Sequence, residues 1–159
     1  MKLSQLDTPC LMLNRETLLQ NAQALTNHIQ SLGVNLRPHM KTAKSIDVAK
    51  IALEGNFGGI TVSTLKEAEY FAENGIKDMI YAVSMVASKV KRAAKLLKNG
   101  TDLKCIMDNP DAAHAVAERA VELGVELPIL IEVDVGDHRG GLMPDADNLM
   151  AMARALHDY

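Results

Sequence analysis

An arginine, a histidine and a lysine occupy alternate positions in the segment LRPHMKTAK, which runs from Leu36 to Lys44. Side chains alternate between the two faces of a β-strand, so Arg37, His39 and Lys41 share one face if this segment is extended. A lysine held among apolar walls and cationic neighbours has a lowered pKa and offers a nucleophilic amine for Schiff-base chemistry. The same lysine could instead be a structural cation paired with a carboxylate, and the spacing alone leaves both interpretations open.

Other candidate residues lie where strand-like segments end. Arg139 stands in the loop DVGDHRGG, whose glycines would let a guanidinium reach a ligand oxygen, although a solvated surface arginine is the alternative. His39 could tune Lys41 or carry a proton, or it could be a histidine satisfied by a carboxylate. Weaker candidates near strand ends are Tyr81, Ser84 and Asp108.

Repeating units of the chain must position these residues. Short apolar segments alternate with amphipathic helical patterns, and strand starts recur every ~20 to 26 residues, the length of one β-loop-α-loop unit. The strand segments are VNLRPHMK, GGITVS, DMIYAV, DLKCIMD and LPILIEVDV, and the helical segments are 44–54, 64–74, 88–99, 109–123 and 145–157. The strand-like run LDTPCLMLN and a helix over 15–33 precede them. Strict alternation of this kind predicts a parallel sheet.

The faces of the strands favour a closed barrel over an open, doubly wound sheet. In LPILIEVDV, Ile129 and Ile131 lie on one face, whereas Glu132 and Asp134 lie on the other. Strands of an open parallel sheet are apolar on both faces because helices cover both. One apolar face and one charged face therefore predict an α/β fold of the (β/α)8 TIM-barrel type, in whose interior the charged side chains form pairs of opposite charge. Glu132 and Asp134 are the expected counter-charges of Arg37 and His39.

The number of units is too small for a closed barrel. Only about the first five β/α units are present, whereas such a barrel has eight strands and roughly 250 residues. We therefore expect residues 1–159 to be the N-terminal part of a barrel whose remainder is absent from this chain. A smaller open sheet, complete in itself, is the alternative, but it would leave polar groups along a raw edge.

The overall composition argues against several protein classes. The net charge is −3, which gives no basic field for a nucleic acid, and no run is long enough for a membrane span or signal peptide. A cytoplasmic location follows as an expectation. Cys10 and Cys105 lack metal-ligand spacing and are predicted to be buried thiols, and His28 and His114 are predicted to lie at the surface. No GxGxxG, Walker or HExxH pattern occurs.

Four segments carry a resemblance to a known family: LDTPCLMLN, LRPHMKTAKS, GITVSTLKEAEYFAENGIKDMIYAVSM and IEVDVGDHRGG. Together they resemble the fold-type III pyridoxal-phosphate enzymes of the D-threonine aldolase, D-serine dehydratase and D-threo-3-hydroxyaspartate dehydratase family, which has an alanine racemase-like N-terminal barrel. The resemblance implies that Lys41 forms a Schiff base with pyridoxal 5'-phosphate and that Arg139 lies beside the cofactor ring. We predict Lys41 and His39 as catalytic residues and Lys41, Arg139 and Tyr81 as cofactor contacts. Ala43 stands where the family often has a histidine.

The resemblance also implies an activity, that of a lyase acting on β-hydroxy D-amino acids as an aldolase or a dehydratase. The full-length enzyme would be a homodimer with a C-terminal β-domain that binds a divalent metal through ligands absent from this chain. The alternatives are an amino-acid racemase of the same fold, a non-catalytic pyridoxal-phosphate-binding homeostasis protein, and a structural fragment without activity.

Overall fold

A computed structural model describes residues 3–157, which form two compact units divided between Leu36 and Arg37. The described residues contain a short 3-10 turn at Leu3–Gln5, six α-helices and four β-strands. The helices are α1 (Arg15–Ser31), α2 (Ile46–Leu53), α3 (Leu65–Glu73), α4 (Ala87–Lys98), α5 (Pro110–Glu122) and α6 (Asp147–His157). The strands are β1 (Ile60–Val62), β2 (Asp78–Ser84), β3 (Asp102–Met107) and β4 (Ile129–Ile131).

The first unit consists mainly of α1. Asn14 begins this helix by accepting a hydrogen bond from the backbone N–H of Thr17 at 3.0 Å, and the chain leaves it at Gly33 with a positive φ of 69°. The predicted helix over 15–33 is therefore confirmed. The predicted strand before it is wrong, and Cys10 is exposed rather than buried, because an apolar run is covered only where an element packs on it.

The sheet of the second unit is parallel, in the order β1-β2-β3-β4, and a helix follows each strand. Polar caps start two of these helices: Thr64 caps α3, and Asn109 followed by Pro110 caps α5. The predicted alternation of strands and helices is confirmed. No helix among residues 3–157 has both the length and the apolar character needed to cross a membrane.

The segment predicted as the first repeat strand is reduced to a single bridge. His39 pairs in parallel with Thr61, where the N–H of Met40 and the carbonyl of Pro38 bond to the Thr61 backbone at 2.9 Å each. Pro38 has no N–H to extend the pairing, and the chain turns away immediately after Met40. The bridge nevertheless places Lys41 next to the carboxyl end of β1.

The core lies between the sheet and its helices. Residues on the helix-facing side of the strands are fully buried, namely Ile60, Val62, Met79, Tyr81, Leu103, Cys105 and Met107. The opposite side is half-buried and carries polar groups, so the predicted division into two faces is confirmed. Burial raises the pKa of the Cys105 thiol to about 12, and the prediction of a buried thiol holds at this position.

The last predicted strand is shorter than its sequence suggests. β4 ends at Ile131, and the valines that continue the apolar alternation, Val133 and Val135, are exposed. Val133 forms an isolated bridge with Leu142, so the backbone pairs with its own following loop beyond this point. The alternating pattern predicted the faces of this segment but not where its pairing stops.

Candidate active site

Arg37 lies at the amino-terminal edge of the sheet, meaning the end at which the parallel strands begin. The carboxyl edge is the opposite end, where the strands finish. Its guanidinium holds the carboxylate of Asp78, the first residue of β2, through two hydrogen bonds of 2.9 Å. It also donates to the carbonyl of Ile60, the first residue of β1, at 3.3 Å and stacks 4.8 Å from the centre of the Phe57 ring. Lys104 approaches the same carboxylate at 3.8 Å. These contacts describe a structural clamp at the base of the sheet.

The expected pairing of Arg37 with Glu132 or Asp134 is therefore wrong. Alternation correctly predicted which face Arg37 occupies, but it carries no information about height along the neighbouring strands. Asp78 starts β2 at the level of Arg37, whereas Glu132 and Asp134 lie beyond the end of β4.

Lys41 lies at the opposite, carboxyl edge, where active sites of parallel α/β barrels assemble. It stands in a turn closed by a hydrogen bond of 2.9 Å from the N–H of Lys44 to the carbonyl of Met40. Its side chain is exposed rather than enclosed by the apolar walls that the sequence pattern predicted. Within residues 3–157 its ammonium makes no hydrogen bond or ion pair.

His39 is joined directly to Lys41. Its Nδ1 accepts the backbone N–H of Lys41 at 3.2 Å, and its Nε2 lies 3.4 Å from the hydroxyl of Ser63. Although His39 is exposed overall, partial burial of the ring lowers its pKa, and the positive charge of Lys41 lowers it further. Because Nδ1 is an acceptor, the neutral ring carries its proton on Nε2, directed towards Ser63.

Glu67 is a buried carboxylate below this turn, with 6% of its side chain exposed. One oxygen accepts the N–H of Ser63 at 2.9 Å, while the Thr64 hydroxyl accepts the N–H of Glu67 at 3.0 Å. The other oxygen lies 3.2 Å from the ammonium of Lys44, within ion-pair distance although not directed for a hydrogen bond. Burial raises the pKa of Glu67, but the Ser63 N–H and Lys44 outweigh it and hold the pKa below its usual value.

Sequence reasoning missed Glu67 and Lys44. A signal was available, because Thr64 and Glu67 have the spacing of a capping box, in which the first and fourth residues of a helix start satisfy each other's backbone. That pattern would have predicted a fixed carboxylate at this position, but not its pairing with Lys44.

A second cluster lies at the carboxyl ends of β2 and β3. Asp108 accepts the hydroxyl of Ser84 at 2.9 Å and the N–H of Gly141 at 3.2 Å. Two of the weaker predicted candidates, Ser84 and Asp108, are thus brought together. Their contact with Gly141 fixes the end of the loop that carries Arg139.

Asp134 organises the beginning of the same loop. Its carboxylate accepts the N–H groups of Gly136 at 2.8 Å and His138 at 3.1 Å. The Gly136 N–H, followed by that of His138, lowers the pKa of Asp134. Arg139 itself is exposed, and within residues 3–157 no hydrogen bond or ion pair joins it to Lys41. The structure therefore places the two residues at one edge of the sheet but not in contact.

Tyr81 points to the other side of the sheet. It is paired in register with Val62 and Cys105 on the helix-facing side, and its hydroxyl accepts a hydrogen bond of 2.7 Å from Lys89 of α4. The Lys89 ammonium also lies 5.3 Å from the centre of the ring. This geometry favours a structural role for Tyr81 over the expected contact with a cofactor.

His28 and His114 are exposed, as predicted. No three histidine, cysteine, aspartate or glutamate side chains within 3–157 are gathered as metal ligands. A cavity of about 280 Å³ lies between α5, β4 and α6, on the helix side of the sheet and away from the Lys41 edge.

Comparisons with known proteins bear on this arrangement. Residues 13–159 match the family model of the alanine racemase N-terminal domain. D-threo-3-hydroxyaspartate dehydratase from Delftia sp. HT23 aligns with a TM-score of 0.91 and 41% identity over 97% of this chain and 41% of that chain. D-threonine aldolase from Filomicrobium marinum aligns with a TM-score of 0.84 and 25% identity over 98% of this chain and 42% of that chain. D-serine dehydratase from Dictyostelium discoideum is 32% identical over 151 residues, 89% of this chain and 38% of that protein.

Two conclusions follow from these matches. The predicted alanine racemase-like α/β fold is confirmed, with four parallel strands and their helices forming part of a (β/α) barrel. The chain spans about 40% of the length of the relatives that it matches.

Proposed function

The chain belongs to the alanine racemase N-terminal domain family. On that premise we propose that it is part of a pyridoxal-phosphate-dependent lyase for β-hydroxy D-amino acids, the part that carries the lysine to which the cofactor binds. Its relatives are named as dehydratases and aldolases of D-amino acids, which are lyases. The observation that carries the proposal is the position of Lys41. Its amine is exposed at the carboxyl edge of the sheet and forms no ion pair within residues 3–157.

The functional groups at this edge are chemically suited to the aldehyde of the cofactor. An unpaired primary amine is the group that condenses with an aldehyde, so Lys41 would hold the cofactor covalently. When bound, pyridoxal phosphate supplies an electron sink for the bond that breaks at the substrate α-carbon. Arg139 is the proposed second contact, because its loop leaves the same edge and is fixed at both ends by Asp134 and Asp108.

His39 is the proposed proton-holding group beside Lys41. The lowered pKa keeps the ring neutral near pH 7, and its Nε2 proton faces the Ser63 hydroxyl. The backbone N–H of Lys41 fixes the ring through Nδ1, so the proton remains at one atom and in one direction. Tyr81 is not included in the proposed site, since Lys89 binds its hydroxyl on the other face.

Covalent trapping tests the proposal. The purified protein is incubated with pyridoxal phosphate, reduced with borohydride and mapped by mass spectrometry, and we expect the label on Lys41. Lys41→Ala should lose the visible absorbance of the bound cofactor, whereas Lys50→Ala, which removes an exposed lysine of α2, should retain it. An unchanged cofactor spectrum in Lys41→Ala would contradict the assignment.

Product analysis separates the candidate reactions. D-threonine, D-serine and D-threo-3-hydroxyaspartate are offered in turn to the protein. An aldolase releases an aldehyde and an amino acid, whereas a dehydratase releases ammonia and a keto acid. Formation of the L-enantiomer without either product would identify a racemase, and cofactor binding without turnover would identify a carrier protein.

Three finer expectations stay predictions. The divalent metal expected of the full-length enzyme would need ligands beyond the residues described. The homodimer and the cytoplasmic location rest on the family resemblance and on composition alone. Metal analysis, sedimentation and cell fractionation of the full-length protein would test them in that order.

A further inference from the structure

We infer that Lys44 and Glu67 are positioning residues that hold the turn carrying Lys41, an inference that rests on the proposed function of Lys41. The Lys41 side chain has no hydrogen bond or ion pair of its own within residues 3–157. Without a polar partner among these residues, the position of its amine depends on the backbone on either side of it. That backbone is tethered at two points to the junction between β1 and α3.

The first tether is the ion pair of Lys44. Lys44 has a positive φ of 47°, a left-handed conformation that a lysine backbone disfavours, and its N–H closes the turn by bonding to the Met40 carbonyl. A disfavoured conformation persists only where surrounding contacts hold it. The contact here is the Lys44 ammonium, 3.2 Å from the carboxylate of Glu67.

Glu67 is a suitable anchor because it is buried and hydrogen-bonded on its own element. It is buried at the first turn of α3, where its carboxylate accepts the Ser63 N–H and its own N–H donates to Thr64. A carboxylate fixed at this helix start cannot follow a moving loop. The ion pair therefore ties the end of the turn to the rigid part of the fold.

The second tether approaches from the other side of Lys41. The Ser63 hydroxyl lies 3.4 Å from His39, and the His39 ring accepts the N–H of Lys41. Ser63 thus connects to Glu67 through its backbone and to His39 through its side chain. One junction holds the turn both before and after the lysine.

Trapping and amide exchange together test the inference. Lys41 is labelled briefly with pyridoxal phosphate and borohydride, with Lys50 as internal reference, while exchange of the Lys44 amide is followed by NMR. Glu67→Gln and Lys44→Gln should lower Lys41 labelling relative to Lys50 on the order of tenfold, since small displacements of a reacting group have large effects on rate. Both should also accelerate exchange at Lys44. Lys44→Arg should leave both Lys41 labelling and amide exchange at position 44 close to the wild-type values, because it keeps the positive charge.

The matched control lies two residues along the same helix. Glu69 forms an ion pair with Arg92 of α4, at 2.7 Å, and no hydrogen bond or ion pair within residues 3–157 joins it to the Lys41 turn. Glu69→Gln should leave labelling and exchange as in the wild type. An equal loss in Glu69→Gln would attribute the effect to general destabilisation and overturn the inference.

Other outcomes are equally decisive. Unchanged Lys41 labelling in folded Glu67→Gln and Lys44→Gln would overturn the inference. If Glu67→Gln does not fold, Lys44→Gln decides alone, since the Lys44 side chain is 57% exposed and its replacement leaves the core intact. If the wild type shows no preference for Lys41, the proposed function fails, and the Lys44 amide still decides whether the pair holds the turn.

Discussion

The Nδ1 atom of His39 accepts the backbone N–H of Lys41 at 3.2 Å, so the ring is fixed beside the lysine whose charge it senses. Partial burial lowers the His39 pKa from 6.5, and the Lys41 charge adds to the effect. Lys41→Gln should therefore raise the His39 pKa towards its ordinary value, as measured by NMR titration of the imidazole protons. Lys50→Gln, which removes an exposed charge elsewhere, should leave it unchanged. An equal shift in both variants would contradict the pairing.

The same shift predicts a pH dependence of stability. The folded-state pKa of His39 is lower than the unfolded one, so the unfolded chain binds the proton first as the pH falls through 6.5. The contribution of His39 to stability is complete above that pH and is lost below it. As the pH falls from 7.5 to the folded-state pKa of His39, the His39→Gln variant should therefore lose less thermal stability than the wild type. Parallel melting curves for the two proteins would contradict this expectation.

Asp78→Ala should destabilise the fold without disturbing Lys41. It leaves the Arg37 guanidinium, 21% exposed, without its two-point partner, which should lower the free energy of unfolding by about 1–3 kcal/mol in urea titrations. Asp102→Ala removes a carboxylate that is 59% exposed and pairs with Lys104, and should lower it by less than about 1 kcal/mol. Trapping at Lys41 should be unaffected in both. Loss of trapping in folded Asp78→Ala would show that the two edges are not independent.

Gly141→Ala should disorder the loop that carries Arg139. Gly141 has a φ of +93°, and an added Cβ would lie 2.8 Å from the backbone nitrogen of Asp134. Such a replacement should lower the free energy of unfolding of the loop by more than about 1 kcal/mol and speed tryptic cleavage after Arg139, because a protease needs a locally unfolded backbone as well as an exposed side chain. Gly140→Ala is the control, because its Cβ would meet only a Glu132 oxygen at 3.8 Å. Equal rates of cleavage after Arg139 in both variants would refute the prediction.

The two cysteines should react very differently. Cys10 is exposed, whereas Cys105 is buried with its pKa raised to about 12, which leaves almost no thiolate at pH 8. Iodoacetamide should therefore label Cys10 in the native protein and both residues in urea. Native labelling of Cys105 would mean that the sheet opens on the timescale of the reaction.

Periodicity predicted most of the fold because it reports which face of an element is buried. It identified each helix and placed β1 to β4 in the correct order of alternating units. Periodicity did not predict where the strands end, because the end of a strand depends on which backbone groups are available for pairing. Pro38 and the following turn reduce the first strand to one bridge, and Val133 pairs with Leu142 instead of extending β4.

The candidate site was less predictable because a site depends on register as well as on face. Alternation placed Lys41 and Arg37 together, although only the pairing of Arg37 with Asp78 reveals that they serve opposite edges. Tyr81 was expected near the cofactor because it lies near a strand end, whereas its register with Val62 and Cys105 places it on the helix side. Glu67 required knowledge of a contact with Lys44 that spans 23 positions of the chain.

The placement of Arg37 and Lys41 at opposite edges has an evolutionary consequence. Four positions along the chain separate Arg37, whose contacts hold the beginning of the sheet together, from Lys41, whose side chain is exposed near the carboxyl end of β1. Under the proposed function, substitutions near Lys41 would alter the site while the contacts between Arg37 and Asp78 are kept. A relative named as a dehydratase and one named as an aldolase share this fold with TM-scores of 0.91 and 0.84. Such a pattern is expected where the residues that maintain the fold differ from those that determine the activity.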